Sequence, residues 1–249
     1  LQMLADMVTP GNSVADVGCD HAFLSIYLVQ AGISPHVLAM DVRKGPLAAA
    51  RKHIESSRLN TYIESRLSDG LDALGEEEAE TIICAGMGGR LMERILKAGE
   101  TKARLMKELI LQPQSEWKEF RTFLHRAGYR ILAEEGVYEE GKYYFAMKAV
   151  YAGAVSEQEM CQGVDAEKEN IRDAAQLQDI FDEYGELMLA GRHPVLKQYL
   201  LQKQEKIMGI LEKLEAEYSP GRAGKASEFR QELERLETVL DQFYGSVCR

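Results

Sequence analysis

The sequence predicts a doubly wound α/β domain followed by an all-helical segment, on three observations. Over roughly the first 150 residues of the 249, short apolar runs alternate with amphipathic stretches. That is the pattern of right-handed βαβ units around a parallel sheet covered on both faces. The first apolar run leads into Asp16-Val17-Gly18, an acidic turn that opens a helix. Beyond Tyr151 the strand signals stop, and apolar residues recur at three- and four-residue steps.

Taken in order, 12–18 reads as a strand with a glycine exit and 23–31 as a helix. A second strand is expected over 36–41. The helix over 45–58 carries Leu47, Ala50, His53 and Ile54 on one side. Strands follow at 62–67, 80–84 and 108–111, with helices at 90–98 and 116–127. The runs 129–134 and 143–151 flank Glu139-Glu140-Gly141-Lys142 and read as a β-hairpin. These elements define a first domain over 1–152, and 153–249 forms a second. Within the second, 153–164 is small, polar and acidic and reads as a linker. Leu196, Leu200, Ile207, Leu211, Leu214 and Tyr218 form one stripe; Phe229, Leu233, Leu236, Leu240 and Phe243 form another, spaced 4,3,4,3. Ser219-Pro220-Gly221-Arg222-Ala223-Gly224 is expected to break any helix between them. The result is an antiparallel coiled-coil hairpin.

Composition excludes several classes. With 45% hydrophobic and 28% charged residues the chain is globular rather than disordered. No apolar run approaches the roughly 18 residues of a membrane span, and the opening LQMLADMV lacks the basic start of a secretory leader. Cys19, Cys84, Cys161 and Cys248 are scattered without metal-ligand spacing, so no metal and a reducing, cytoplasmic setting are expected. The formal charge of −10 points away from nucleic acid, but its distribution does not. Residues 87–130 carry +5, including Arg90, Arg94, Arg104 and Arg121, whereas 153–190 carry −8. The basic stretch reads either as solvated helix faces or as a local polyanion footprint.

The chemistry concentrates where strands end. A dinucleotide fingerprint needs three glycines around a pyrophosphate. Here Gly18 stands alone, and Asp20 and Phe23 hold the other two glycine positions. A carboxylate there repels pyrophosphate but suits a cation, so Asp16 and Asp20 fit the sulfonium and ammonium of S-adenosylmethionine better than NAD. Asp41 ends the second strand near the offset at which an acidic residue grips ribose hydroxyls; it could equally cap the turn before Gly45-Pro46. Ser68-Asp69-Gly70 follows the third strand, where Asp69 can accept from an adenine amino group. Ala85-Gly86-Met87-Gly88-Gly89-Arg90 follows the fourth and lacks the lysine of an ATP-hydrolysing loop. Gln112 and Gln114 flank Pro113 after the fifth and can meet a base edge or cap loop backbone.

These segments together resemble the bacterial TrmK family, tRNA (adenine-N1)-methyltransferases that modify the adenine at tRNA position 22. The resemblance rests on Asp16-Val17-Gly18-Cys19-Asp20-His21-Ala22, Gly45-Pro46 after Asp41, Leu67-Ser68-Asp69-Gly70-Leu71, Ala85-Gly86-Met87-Gly88-Gly89 and Leu109-Ile110-Leu111-Gln112-Pro113. It covers nearly the whole chain and is thinnest over 153–190. It implies a Rossmann-like methyltransferase sheet of seven strands, the last antiparallel, with a C-terminal helical hairpin. On this reading Asp16, Gly18, Cys19, Asp20, His21, Asp41, Val42, Ser68, Asp69, Gly70, Gly86 and Met87 bind S-adenosylmethionine. Gly88, Gly89, Arg90, Arg94, Gln112 and Gln114 meet tRNA. Asp20 is the candidate to stabilise charge developing on the adenine, and a monomer is favoured. A small-molecule methyltransferase and a non-catalytic cofactor-binding protein with a partner-docking hairpin are the alternatives.

Overall fold

The structure is a computed structural model that describes residues 1–153, 174–216 and 220–245. The chain runs α1 (Gln2–Met7), β1 (Val14–Val17), α2 (Phe23–Gln30), β2 (Val37–Asp41), α3 (Lys44–Ser56), β3 (Ile63–Leu67) and β4 (Thr81–Met87). It continues through α4 (Gly89–Ala98), α5 (Glu100–Leu105), β5 (Glu108–Pro113), α6 (Trp117–Arg126), β6 (Tyr129–Glu139) and β7 (Lys142–Tyr151). Then come α7 (Ala174–Tyr184), α8 (Glu186–Ala190), α9 (Pro194–Ala216) and α10 (Pro220–Tyr244).

The seven strands form one sheet in the order β3-β2-β1-β4-β5-β7-β6. Strands β1 to β5 pair in parallel, and β7 runs antiparallel to β5. This is the predicted Rossmann-like methyltransferase sheet, and its order reverses between β1 and β4. Strands β1, β2 and β5 are buried along their whole length, as continuous apolar runs covered on both faces must be. Period-two alternation splits their side chains into two cores. Leu38, Met40, Ile82, Cys84, Leu109 and Leu111 pack with Met92, Leu96, Phe120 and Leu124 of α4 and α6. Val37, Ala39, Ile83 and Ile110 pack on the other face with Leu24, Leu28, Leu47 and Ile54 of α2 and α3. The β6–β7 turn places Glu140 at φ 49° and Gly141 at φ 80°. Two positive φ values mark the two-residue turn that matches strand twist.

Three expectations are revised. Strand β4 runs on past Cys84 to Met87, and β5 past Leu111 to Pro113, because the two pair again beyond a register shift between Ala85 and Met87. The short α1 and α5 carry too few residues for a periodic signal. The helix break is narrower than 219–224: α10 begins at Pro220, since proline's fixed φ and missing N–H suit a first helical turn. Ser219, Tyr218, Lys168, Arg172 and all of the expected linker except Gly153 lie outside the described residues.

Among the described residues the chain forms two compact units. One holds Leu1–Val137 with the chain from Tyr144 to the end of β7; the other holds the hairpin tip Tyr138–Tyr143 with the helices from Ala174 onward. In the second unit α9 and α10 run antiparallel, since His193, Lys203 and Gln204 meet Tyr244, Glu232 and Glu237 respectively. Leu196, Leu200, Ile207 and Leu211 are buried, as are Leu236, Leu240 and Phe243. The antiparallel helix pair is as expected, but of the two stripes Leu214, Phe229 and Leu233 are only partly buried, and Val239 joins the seam.

Candidate active site

In open α/β sheets ligands bind outside the carboxyl ends of strands where the order reverses. That point lies between β1 and β4, and the predicted residues gather around it. Past Val17 the chain turns at Gly18 (φ 78°), and the N–H groups of Gly18 and Cys19 both donate to the Met40 carbonyl at 2.8 and 2.9 Å. A side chain on Gly18 would lie 2.3 Å from Met87 Cε, so the bare glycine lets the β4 exit close over the β1 turn. Asp20 and Ala22 follow at positive φ and carry the chain into α2.

Asp16 is buried, and Ser25 Oγ of α2 donates to its Oδ2 at 2.6 Å. Burial raises its carboxyl to about 6; the Ser25 bond opposes that rise and the charge of Asp41 adds to it. Asp41 is also buried. Its Oδ1 accepts the Arg43 N–H at 2.7 Å, and its Oδ2 has no hydrogen bond among the described residues. One oxygen of Asp41 thus caps the turn, as one of its two sequence readings has it, and the other is left without a hydrogen bond among the described residues. Burial first, then the charges of Asp16, Asp41 and Asp20, push the Cys19 thiol far up, so it stays protonated and lines the turn as a small apolar group. Asp20 is exposed, with Arg43 Nη2 and His21 Nε2 each 3.8 Å away. His21 offers a buried Nδ1 with no hydrogen-bond partner among the described residues. Val42 is 58% exposed beside Asp41, an apolar surface suited to a flat ring.

The β3 exit divides its roles. Ser68 spends its hydroxyl locally, donating to the Gly70 carbonyl and accepting the Ala73 N–H. Gly70 is buried, and a Cβ there would lie 3.0 Å from Ile95. Both residues thus shape the turn, and Asp69 between them is exposed.

At the β4 exit Gly86 (φ 75°) sits in the bulge that shifts the register. Its N–H donates to Gln112 Oε1 at 3.0 Å. Gln112 is 5% exposed, and its Nε2 has no partner among the described residues. Gln114 donates its backbone N–H to the Met87 carbonyl at 2.8 Å, tying the exits of β4 and β5 together. Its side chain is exposed.

Three substrate-side expectations change. Gly89 is buried, and a side chain there would meet the carbonyls of Ser115 and Glu116 at 2.9 and 3.0 Å; its smallness serves packing. Glu116, absent from the sequence reading, accepts the Arg90 backbone N–H at 3.1 Å and pairs with the Arg90 guanidinium at 2.8 Å. The N-terminus of α4, where a helix favours an anion, already has a carboxylate, and Arg90 is engaged by it. Arg121 is 2% exposed and pairs with Glu134 at 2.8 Å, so it leaves the proposed basic surface altogether. Arg94 is exposed with no ion pair among the described residues. Arg43, Ser25 and Glu116 carry no motif of their own; only their position beside acidic residues or a glycine turn could have signalled them.

Known proteins share this geometry. The family described as a methyltransferase domain matches residues 1–147. The tRNA (adenine(22)-N(1))-methyltransferase of Bacillus subtilis (strain 168) is 36% identical over 149 residues, 60% of this chain and 63% of that protein. The chain thus aligns with less than two thirds of that relative's length. The crystal structure of the B. subtilis m1A22 tRNA methyltransferase TrmK matches with a TM-score of 0.75 at 28% identity, covering 96% of this chain and 97% of that one. Streptococcus pneumoniae Sp1610 in complex with S-adenosyl-L-methionine matches with a TM-score of 0.76 at 29% identity over the same shares. With a family match over more than half its length and structural likeness over nearly all of it, the chain belongs to the methyltransferase domain family.

Proposed function

We propose that this chain transfers a methyl group from S-adenosylmethionine to N1 of an adenine in tRNA, the adenine at position 22, as a cytoplasmic monomer. The observation that carries the reading is the pair of buried carboxylates, Asp16 and Asp41, at the β1/β4 crevice without a phosphate-binding glycine loop. Such a site favours a cationic nucleoside over an anionic one. The residues present fit the cofactor. Asp41 Oδ2 is unengaged and can accept from ribose hydroxyls, Asp69 can accept from an adenine amino group, and the orphaned His21 Nδ1 and Gln112 Nε2 await partners. Val42 offers an exposed apolar surface for the ring, and at Gly86 a Cβ would meet only the Gln114 side-chain amide, at 3.8 Å. When bound, S-adenosylmethionine supplies a methyl group on a positively charged sulfur.

Neutral adenine presents a lone pair at N1, so the chain needs no general base. The N1–C bond forms as the S–C bond breaks, and positive charge passes to the adenine. The protein's work is alignment of a base taken out of its stack, with Asp20 placed to stabilise the charge that develops.

The pairing of Arg90, Lys97, Arg104 and Lys107 with their own acidic neighbours favours the small-molecule alternative over the polyanion reading of 87–130. One assay separates them. Labelled methyl donor is expected to mark bulk tRNA and not a metabolite extract; the reverse result overturns the substrate. In the same preparation Asp41→Ala should weaken cofactor binding by about 1–3 kcal/mol, the worth of a hydrogen bond to a charged group, with the fold intact. Unchanged affinity by calorimetry would remove Asp41 from the site.

Asp16 makes the binding pH-dependent. Its raised carboxyl means that the ionised form is disfavoured in the empty protein below about pH 6, while a cationic ligand favours that form. Binding therefore releases a proton, and affinity should fall up to about tenfold per pH unit below 6. Asp16→Asn should flatten that limb. Equal limbs in parent and variant would show that Asp16 does not sense the ligand's charge. The sign for stability is opposite: a carboxyl raised on folding stabilises the fold most when protonated, and that contribution is lost as pH rises from about 4 to about 6.

A further inference from the structure

We propose that the open face of α3, together with Phe23 at the start of α2, is an RNA-contacting surface that takes phosphates and one unstacked base. This rests on the tRNA reading above and names where the RNA lies.

The charge is local. Between Val42 and Arg58 stand Arg43, Lys44, Arg51, Lys52 and Arg58 against a single acid, Glu55, which is +4 within a chain of −10. All five cations are exposed. Lys44, Lys52 and Arg58 make no ion pair or side-chain hydrogen bond among the described residues, and Arg51 bonds only the neutral Ser65. In the segment 87–130 half of the ten cations, Arg90, Lys97, Arg104, Lys107 and Arg121, have an acidic partner, though Arg94 has none among the described residues; on the α3 face Arg43 lies 3.8 Å from Asp20. Cations already neutralised by carboxylates gain less from a phosphate than cations that hold only counterions.

The shape suits a nucleic acid. At 3.6 residues per turn, Lys44, Arg51 and Glu55 share one line along α3 and Lys52 lies next to it. His53 borders the same open arc, and its ring stacks on Phe23 with centroids 5.0 Å apart and planes 21° apart. His21 also stacks on Phe23, at 5.6 Å and 26°, and the two imidazoles lie 5.6 Å from each other, so the three rings form one cluster. Phe23 nonetheless stays 53% exposed. A half-exposed phenyl ring braced by two imidazoles beside unpaired cations is the combination that holds single-stranded nucleic acid: stacking for a base and charge for the backbone. An acidic polypeptide would answer the charge but leave the stacked ring without a role. The location is apt, since α2 opens directly from the Gly18–Ala22 turn and α3 begins three residues after Asp41.

The test uses the full chain and an unmodified tRNA transcript. Anisotropy titrations from about 50 to about 200 mM salt give the slope of log affinity against log salt. The triple variant Lys44→Gln, Lys52→Gln, Arg58→Gln should lower that slope by about 2–3, at roughly 0.7–0.9 per phosphate contact. Phe23→Ala should weaken binding about fivefold or more, and Phe23→Trp should restore it. Cofactor affinity by calorimetry should match the parent in all three, which also certifies folding. A parent-like slope in the triple variant, or parent-like tRNA affinity in Phe23→Ala, overturns the surface and leaves the tRNA reading standing. A parent that binds cofactor but no tRNA overturns the substrate reading, and this surface with it.

Discussion

Replacing Arg121 by methionine is expected to destabilise the first unit by about 3–5 kcal/mol, the usual result of stranding one member of a buried ion pair. Arg121 on α6 and Glu134 on β6 are 2% and 1% exposed in their side chains and meet at 2.8 Å. Removing the guanidinium takes the 2.8 Å partner away from a carboxylate whose side chain is 1% exposed. Removing both charges avoids that penalty. Arg121→Met with Glu134→Leu should therefore lie within about 1–2 kcal/mol of the parent, since apolar replacements of buried pairs are often neutral or better. Urea unfolding followed by tryptophan fluorescence reads the effect in the right unit, because Trp117 is the chain's only tryptophan and packs edge-on against Phe145. A single variant as stable as the double would mean that the pair is not what holds α6 to β6.

Arg121 also shows what a linear sequence conceals. It falls among the cations of 87–130 because a charge sum treats every arginine as surface. Whether an arginine is solvated depends on whether a carboxylate from another element arrives beside it, and Glu134 comes from a strand thirteen positions on. The basic face of α3 was hidden for the complementary reason: residues 1–63 sum to zero, and the acids that cancel it lie on other elements. Local signals fared better. Parallel strands such as β2 and β5 are buried on both faces, so their apolar runs were readable, and their carboxyl ends placed Asp16, Asp41, Gly86 and Gln112 at one edge. Residues whose role is steric are harder to read from sequence. Gly89 looks like its neighbour Gly88 in sequence, and only the carbonyls of Ser115 and Glu116 against it reveal that it serves packing.

On the proposed reaction, Gln112 is the residue on which methyl transfer should depend most. The N–H of Gly86 requires an acceptor, which fixes Oε1 toward it and turns Nε2 away. That leaves a buried amide donor without a partner, a state that costs about 1–3 kcal/mol if nothing ever fills it. A ligand atom with a lone pair, such as a ring nitrogen of the target base other than N1, would satisfy it and hold the base against the methyl group. Gln112→Leu should lower kcat on tRNA about 10²-fold with little change in cofactor affinity, the scale expected when a reacting group is held about 1 Å out of place. Leucine also loses the acceptor for Gly86, so the loss alone does not separate positioning from support of the bulge. Gln112→Glu does: its carboxylate keeps an oxygen for Gly86 but has no proton to give when ionised. At mildly alkaline pH this variant should be folded, bind cofactor and turn over as poorly as the leucine variant. As pH falls and the carboxyl takes up a proton, it regains a donor, and kcat should rise relative to the leucine variant. Parent-like turnover of Gln112→Glu at alkaline pH would confine Gln112 to bracing the β4 exit and leave the position of the target base to other residues.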